Sequence, residues 1–270
     1  MLCKVLKYDI KAGLNIKVLT SILMLFLVIS YQAITTLETN SSIVDLYIIL
    51  FGGLPNKGDA NFLMILRWFI LQIYLAFILG KFLHKEWSER SIYIIIRTHS
   101  RYVWLISKLI YSLLFTGIYY CIGMFSTSII GMLKLEKSFN FSDSTITYLL
   151  NNNETIIKSP IQTIVIFFIL QWLSIYVVCI LQIILSLYID KSIHVLVIIS
   201  TLYFMGIKIS QSFSQFAFWF IPYRGMFFMH LTAEYNAMGF NVITSFAIII
   251  ISLILTTLLS LSVIKNREFI

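Results

Sequence analysis

Six long runs of apolar residues, set apart by short charged segments, decide what this chain can become. A helix rises 1.5 Å per residue and needs about 20 apolar residues to cross about 30 Å of hydrocarbon. Val18–Leu37 and Leu109–Leu133 reach that length without a charge, and Ile161–Ile189 exceeds it, so that it must tilt or project. Asn61–Gly80 is interrupted only by Arg67, Ser192–Ile207 is short and followed by Lys208, and Tyr235–Ile264 completes the series. Composition agrees: 59% of the 270 residues are apolar and 12% are charged, where a soluble domain carries about 25% charged residues. No soluble core of this length hides so much apolar side chain. The expected fold is an all-α membrane protein, one transmembrane domain over residues 1–270 with no nucleotide-binding domain.

The net charge of +8 has a simple account. If the spans alternate, Met1–Lys17, Lys81–Lys108, Asp190–Lys191 and Lys265–Ile270 share one side. They hold 13 of the 20 basic residues and 5 of the 12 acids. Basic connectors stay in the cytoplasm, so both termini are expected there, in a multi-pass protein of the cell membrane. Orientation explains the basicity, and no nucleic-acid partner is needed. Abundant Ile and Lys beside eight Ala fit an AT-rich bacterial genome.

The connectors carry further signals. In Met1–Lys17, Leu2, Val5, Leu6 and Ile10 fall at helical spacing opposite Lys4, Lys7 and Lys11. This predicts a short interfacial helix on the inner leaflet, or alternatively a basic tail. Ile43–Leu54 is apolar but too short to span, which suggests a lid-like interfacial helix ending at Gly52-Gly53 and Pro55. Gln211–His230 holds eight aromatic residues: Phe213, Phe216, Phe218, Trp219, Phe220, Tyr223, Phe227 and Phe228. Pro222 and Gly225 break this stretch. It reads either as a re-entrant hairpin in the outer leaflet, covered by protein, or as an aromatic belt at the interface.

Catalytic chemistry is not legible. The four histidines form no HExxH or other ligand pair, and Cys3, Cys121 and Cys179 have neither metal nor disulfide spacing. There is no GxSxG and no phosphate loop ending in GK[ST], so no enzyme activity, directly bound cofactor or metal is expected. Arg67 is the one clear charge inside a span. Such a charge marks a pathway by default, but Arg67 is also close enough to the span end to snorkel. Gln72, Gln171 and Gln182 either line a pathway or bond between helices.

The richest segment is Lys81–Ile110, KFLHKEWSERSIYIIIRTHSRYVWLISKLI. Trp87, Ile92, Ile94–Ile96 and Tyr102 cannot all be solvated, so the segment packs on the bundle or meets a cytosolic partner. It resembles the intracellular coupling region of permease subunits of type-2 ABC exporters. Glu86 and Glu89 match that family's acidic element, and Thr98-His99-Ser100-Arg101 its Pro-x-Ser-Arg-like corner, with Thr98 in place of proline. Arg90-Ser91 stands where Gly-Thr is commoner, Ile94–Ile96 replaces a leucine-rich turn, and Lys108 matches the Lys entering the third span. Leu6–Lys11, LKYDIK, is similar to the family's amino-terminal elbow helix.

The resemblance implies a half-transporter with an elbow helix, a cytoplasmic coupling helix and an outer aromatic hairpin. It pairs with a second permease subunit, identical or different, and with two copies of a separate ABC ATPase, which supply ATP and Mg chemistry. Glu86, Trp87, Glu89, Arg90, Ile94, Arg97, Ser100 and Arg101 would contact the ATPase. Phe213, Phe216, Phe218, Trp219, Phe220 and Tyr223 would form an outer gate or cargo contact, with Arg67 and Gln72 along a possible pathway. The implied function is export or clearance of an apolar or amphipathic cargo, a peptide, antibiotic or lipid-like molecule. The alternative is a non-transporting scaffold or channel-like partner in the membrane.

Overall fold

The structure, a computed structural model, describes residues 1–37, 41–53, 62–91, 93, 100–135, 139–142, 159–189, 191–212, 214–231 and 241–266. Among them there is no strand. The chain opens with α1 (Leu2–Gly13), whose buried positions include Asp9 and Gly13. A corner at Leu14-Asn15 leads to α2 (Ile16–Ile34), where the Asn15 side chain accepts the Val18 amide. This cap satisfies one of the amides that every helix start leaves open. The following helices are α3 (Ile43–Phe51), α4 (Phe62–Lys85), α5 (Arg101–Lys134), α6 (Pro160–Tyr188) and α7 (Ser192–Ser212). Three short helices, α8 (Ser214–Ala217), α9 (Ile221–Arg224) and α10 (Phe227–Leu231), precede α11 (Val242–Asn266). Six of these helices are long and apolar enough to cross a membrane: α2, α4, α5, α6, α7 and α11.

The boundaries moved where capping or pairing overrides a charge count. Helix α5 begins at Arg101 rather than at Leu109, because Ser100 caps it by accepting the Val103 amide and because Lys108 is neutralised inside the fold. Helix α6 starts as its sequence suggests, with Ser159 as cap and Pro160 in the first turn, where a missing amide costs nothing. Helix α11 begins at Val242; the expected start at Tyr235 lies outside the described residues.

Helices α5 and α6 form the centre. Helix α5 is flanked by α1, α2, α3 and α11, and α6 by α3, α4, α7, α9 and α11. Polar side chains in this apolar bundle are used to join helices, as expected where an unmet group has no water to turn to. Ser30 and Thr127 hydroxyls meet at 3.1 Å between α2 and α5. The Tyr119 hydroxyl donates to the Leu71 carbonyl, and the Gln182 amide donates to the Ala76 carbonyl at 2.6 Å. That last bond requires Gly80, since a Cβ there would lie 2.6 Å from the Gln182 amide nitrogen.

The expectation of a surface lid over Ile43–Leu54 is overturned. Helix α3 is wedged into the bundle against α2, α4, α5 and α6, with Ile43, Val44 and Leu46 wholly buried. Its start is held by a capping box: Ser42 and Asp45 exchange side-chain and backbone hydrogen bonds. The run is too short to span, and with Asp45 held in the cap the other residues of α3 are apolar or aromatic, so most of the helix is buried against the bundle.

Candidate functional site

Three places in the bundle concentrate chemistry. The first is at the end where α1, the close of α4 and the start of α5 meet. There α4 runs into a π turn, Glu86–Arg90, a single-turn irregularity common at functional positions. Lys108 Nζ sits between Asp9 Oδ1 at 2.5 Å and Glu86 Oε2 at 3.0 Å. The Ser107 hydroxyl donates to Asp9 Oδ2 at 2.6 Å. All three charged side chains are at most 1% exposed. Aromatic rings close the cluster: Nζ lies 5.2 Å from the Phe82 ring centre and 5.7 Å from that of Trp104, and Trp87 packs on Trp104. Burial raises the Asp9 carboxyl above its ordinary range, while Lys108 and the Ser107 hydroxyl pull it back and Glu86 pushes it further up. The approach of α1 is close because Gly13 has no side chain: a Cβ there would fall 1.9 Å from the Tyr111 hydroxyl oxygen.

Of the residues expected to contact an ATPase, Glu86 therefore faces inward, onto Lys108. Trp87 is half-buried against Trp104, Ser100 caps α5, and Arg101 opens that helix, half-buried. Ile94 and Arg97 lie outside the described residues, as do the Glu89 and Arg90 side chains. Sequence reasoning singled out Glu86 and noted Lys108, but it missed Asp9 and Ser107. The signal was present: Asp9 lies on the apolar side of α1, in line with Val5, Leu6 and Gly13.

The second place is the broken aromatic stretch. Arg224 is fully buried, with Nε and Nη2 donating to the Phe218 carbonyl at 3.2 and 3.1 Å. Its guanidinium carbon stacks 3.9 Å over the Phe218 ring, and Nη1 reaches Ser245 Oγ on α11. Tyr223 is buried and its hydroxyl donates to the Ile207 carbonyl. Phe220 packs between Tyr203 and Tyr223, over Gly206. Phe216 and Trp219 point outward, 56% and 75% exposed, and Phe213 lies outside the described residues. The five described among the six expected contacts thus divide between packing and exposed surface. The organising residue, Arg224, was not among them.

The third place is a narrow, partly enclosed cleft between α3, the far end of α5, the first half of α6, and α10. Tyr47, Phe51, Phe141, Phe167, Phe168 and Phe227 give it an aromatic wall, and Gln171 is its buried polar member. Its floor depends on glycine. Gly53 has φ of 87°, which favours glycine, and a Cβ would strike the Met226 side chain; the neighbouring Gly52 carbonyl accepts the Phe228 amide at 3.1 Å. Sequence patterning did not reveal this cleft, because its walls come from five separated segments.

Arg67 and Gln72 lie apart from all three places, on α4. Arg67 is 3% exposed, and its Nη1 donates to Thr36 Oγ1 at 3.2 Å just beyond α2. Gln72 accepts the Tyr120 hydroxyl, an interhelical bond. Among the described residues no group of His, Cys, Asp and Glu is arranged to hold a metal. No family model, curated protein or solved structure matches the chain.

Proposed function

We propose that the chain is the membrane permease subunit of an ATP-driven exporter of the type-2 ABC kind, acting on an apolar or amphipathic cargo. The observation that carries this reading is the Asp9–Lys108–Glu86 cluster. It joins an amphipathic first helix to the exit of one span and the entry of the next, at the end of the bundle that gathers the basic connectors. In this reading α1 is the elbow on the inner membrane face. The segment from Glu86 to Arg101 carries the coupling helix, and the aromatic stretch around Arg224 is a hairpin re-entering the outer leaflet.

The mechanism follows from the joint. Closure of two ATPase subunits pushes on the segment between α4 and α5. Because Lys108 holds both carboxylates, α1, α4 and α5 move together, and packed interfaces convert a small shift into a change between discrete arrangements. Two permease subunits, each with both ends in the cytoplasm of a bacterial cell, enclose the cargo path. The ATPases alone hold ATP and Mg.

Co-purification tests this. Expressed with the reading frames beside its gene, the tagged chain should bring down an ATPase of about 200–300 residues, an ordinary domain length. Glu89→Lys should leave membrane insertion intact and abolish that association or the coupled ATP hydrolysis, since a reversed charge at a desolvated contact is left unpaired. If Glu89→Lys and Arg101→Glu both keep full coupling, the segment has no part in the mechanism.

A further inference from the structure

Arg67 is a buried cation whose one hydrogen-bonded neighbour is neutral. Its Nη1 donates to Thr36 Oγ1, and that hydroxyl donates in turn to the Ala33 carbonyl. The contact fixes one corner of the guanidinium and supplies no counter-charge. The remaining donor atoms, Nε and Nη2, are buried and meet no acceptor. These two atoms share one edge of the planar group, with their N–H bonds parallel, the fork that fits two oxygens of a carboxylate or phosphate. A buried charge without a partner is strongly disfavoured. A neutral acceptor would meet the N–H groups and leave the charge, so the fitting partner is an oxyanion. The acidic side chains among the described residues are Asp9, Asp45 and Glu86. Asp9 and Glu86 hold Lys108 at the far end of α4, and Asp45 caps α3.

The flanks of Arg67 on α4 indicate what carries the oxyanion. Leu63 and Ile70 lie about one turn to either side and Leu66 directly precedes it; they are 45%, 38% and 37% exposed on a helix of membrane-crossing length. On the other flank Trp68, Leu71 and Gln72 are at most 2% exposed, and Trp68 Nε1 and Gln72 Nε2 are further N–H groups without an acceptor. With 3.6 residues per turn, Arg67 therefore stands at the border between an exposed apolar strip and the buried face. A molecule lying along that strip brings its head to the guanidinium from the side. We propose that Arg67 binds the oxyanion of an anionic amphiphile, with two oxygens on Nε and Nη2 and the hydrocarbon chain along Leu63, Leu66 and Ile70. Surface side chains change rotamer within nanoseconds, so access from this flank asks for rotamer changes and not for opening of the bundle. The site belongs to this chain alone and does not depend on an ATPase partner.

The test is thermal unfolding of the full chain in dodecyl maltoside at about pH 8, above the ordinary carboxylate range. The chain is titrated with dodecanoate, dodecanol, acetate, phosphatidylglycerol or diacylglycerol. Dodecanoate and phosphatidylglycerol should raise the melting temperature to saturation, as a ligand of the folded state does. Dodecanol and diacylglycerol, which lack the anionic head, and acetate, which lacks the chain, should not. Arg67→Met should raise the half-saturating concentration at least about tenfold, the factor for losing one hydrogen bond to a charged group. Arg67→Lys, which keeps the charge without the fork, should fall between. Lys208→Gln, which removes an exposed cation, should leave the titrations unchanged. If Arg67→Met does not fold, Arg67→Gln takes its place. Dependence on Arg67 for dodecanoate alone or for phosphatidylglycerol alone assigns the head as carboxylate or lipid phosphate; dependence for neither overturns the proposal. It is also overturned if dodecanol or acetate stabilises as dodecanoate does, if Arg67→Lys matches the unaltered chain, or if Lys208→Gln weakens binding as much as Arg67→Met.

Discussion

Lys108 is an ammonium with no exposed surface, placed between two carboxylates. Its removal is more damaging than the loss of either partner. Lys108→Met leaves two buried carboxylates facing each other without a cation, and breaking a buried pair in that sense costs about 3–5 kcal/mol. Asp9→Asn leaves the Lys108–Glu86 pair intact and keeps a side-chain acceptor for Ser107, so it should cost clearly less. Thermal unfolding of the two variants in detergent checks the order. The same site has a pH signature. Burial raises the Asp9 carboxyl in the fold, so the folded state binds a proton more tightly than the unfolded chain. This contribution to stability is fully present below the ordinary carboxylate range near pH 3.8 and is lost as pH rises through the folded value. The difference in melting temperature between the unaltered chain and Asp9→Asn should therefore be most favourable to the unaltered chain at the acidic end. A difference independent of pH between 4 and 7, a window set around ordinary carboxylate values, would contradict the assignment.

Among the elements, the short helices before α11 depend on a close approach. Helix α9 lies against α6 at Gly225, where a Cβ would sit 2.4 Å from Ser174 Oγ and 2.8 Å from Gln171 Cα. The second of these neighbours is backbone and cannot yield. Gly225→Ala should cost about 1–3 kcal/mol of stability, the usual effect of overpacking, read as a lower melting temperature in detergent. What the sequence disclosed about elements follows the same logic. The long spans were legible because a bilayer demands length and low charge, which are local properties. The first helix was legible from spacing, and the start of α6 from Ser159 and Pro160. The burial of α3 was not, because a short apolar run looks the same whether it lies on a membrane or inside a bundle. Neither was the role of Arg224, whose partners Phe218 and Ser245 are set by how three short helices turn. The Asp9–Lys108 contact was hidden by its span of 99 positions.

For the whole molecule, six membrane-length helices and the distribution of basic residues predict one arrangement of ends and loops. A cysteine introduced at Ser142, between α5 and α6, should react with an impermeant maleimide added outside intact cells. One introduced at Lys191, between α6 and α7, should react only after the membrane is opened. The reverse pattern would invert the orientation, and with it the assignment of the Lys108 end to the cytosolic side.

That 99-residue separation also sets an order of manufacture. At a synthesis rate of about 5–20 residues per second, Asp9 is added to the chain roughly 5–20 seconds before Lys108. Throughout that interval Asp9 has no ammonium to meet, so its helix must wait in an unlocked position while two spans enter the membrane. The third span then brings a lysine that only the waiting helix and the end of the second span can neutralise. Lys108 then ties the first helix and the exit of the second span to the third.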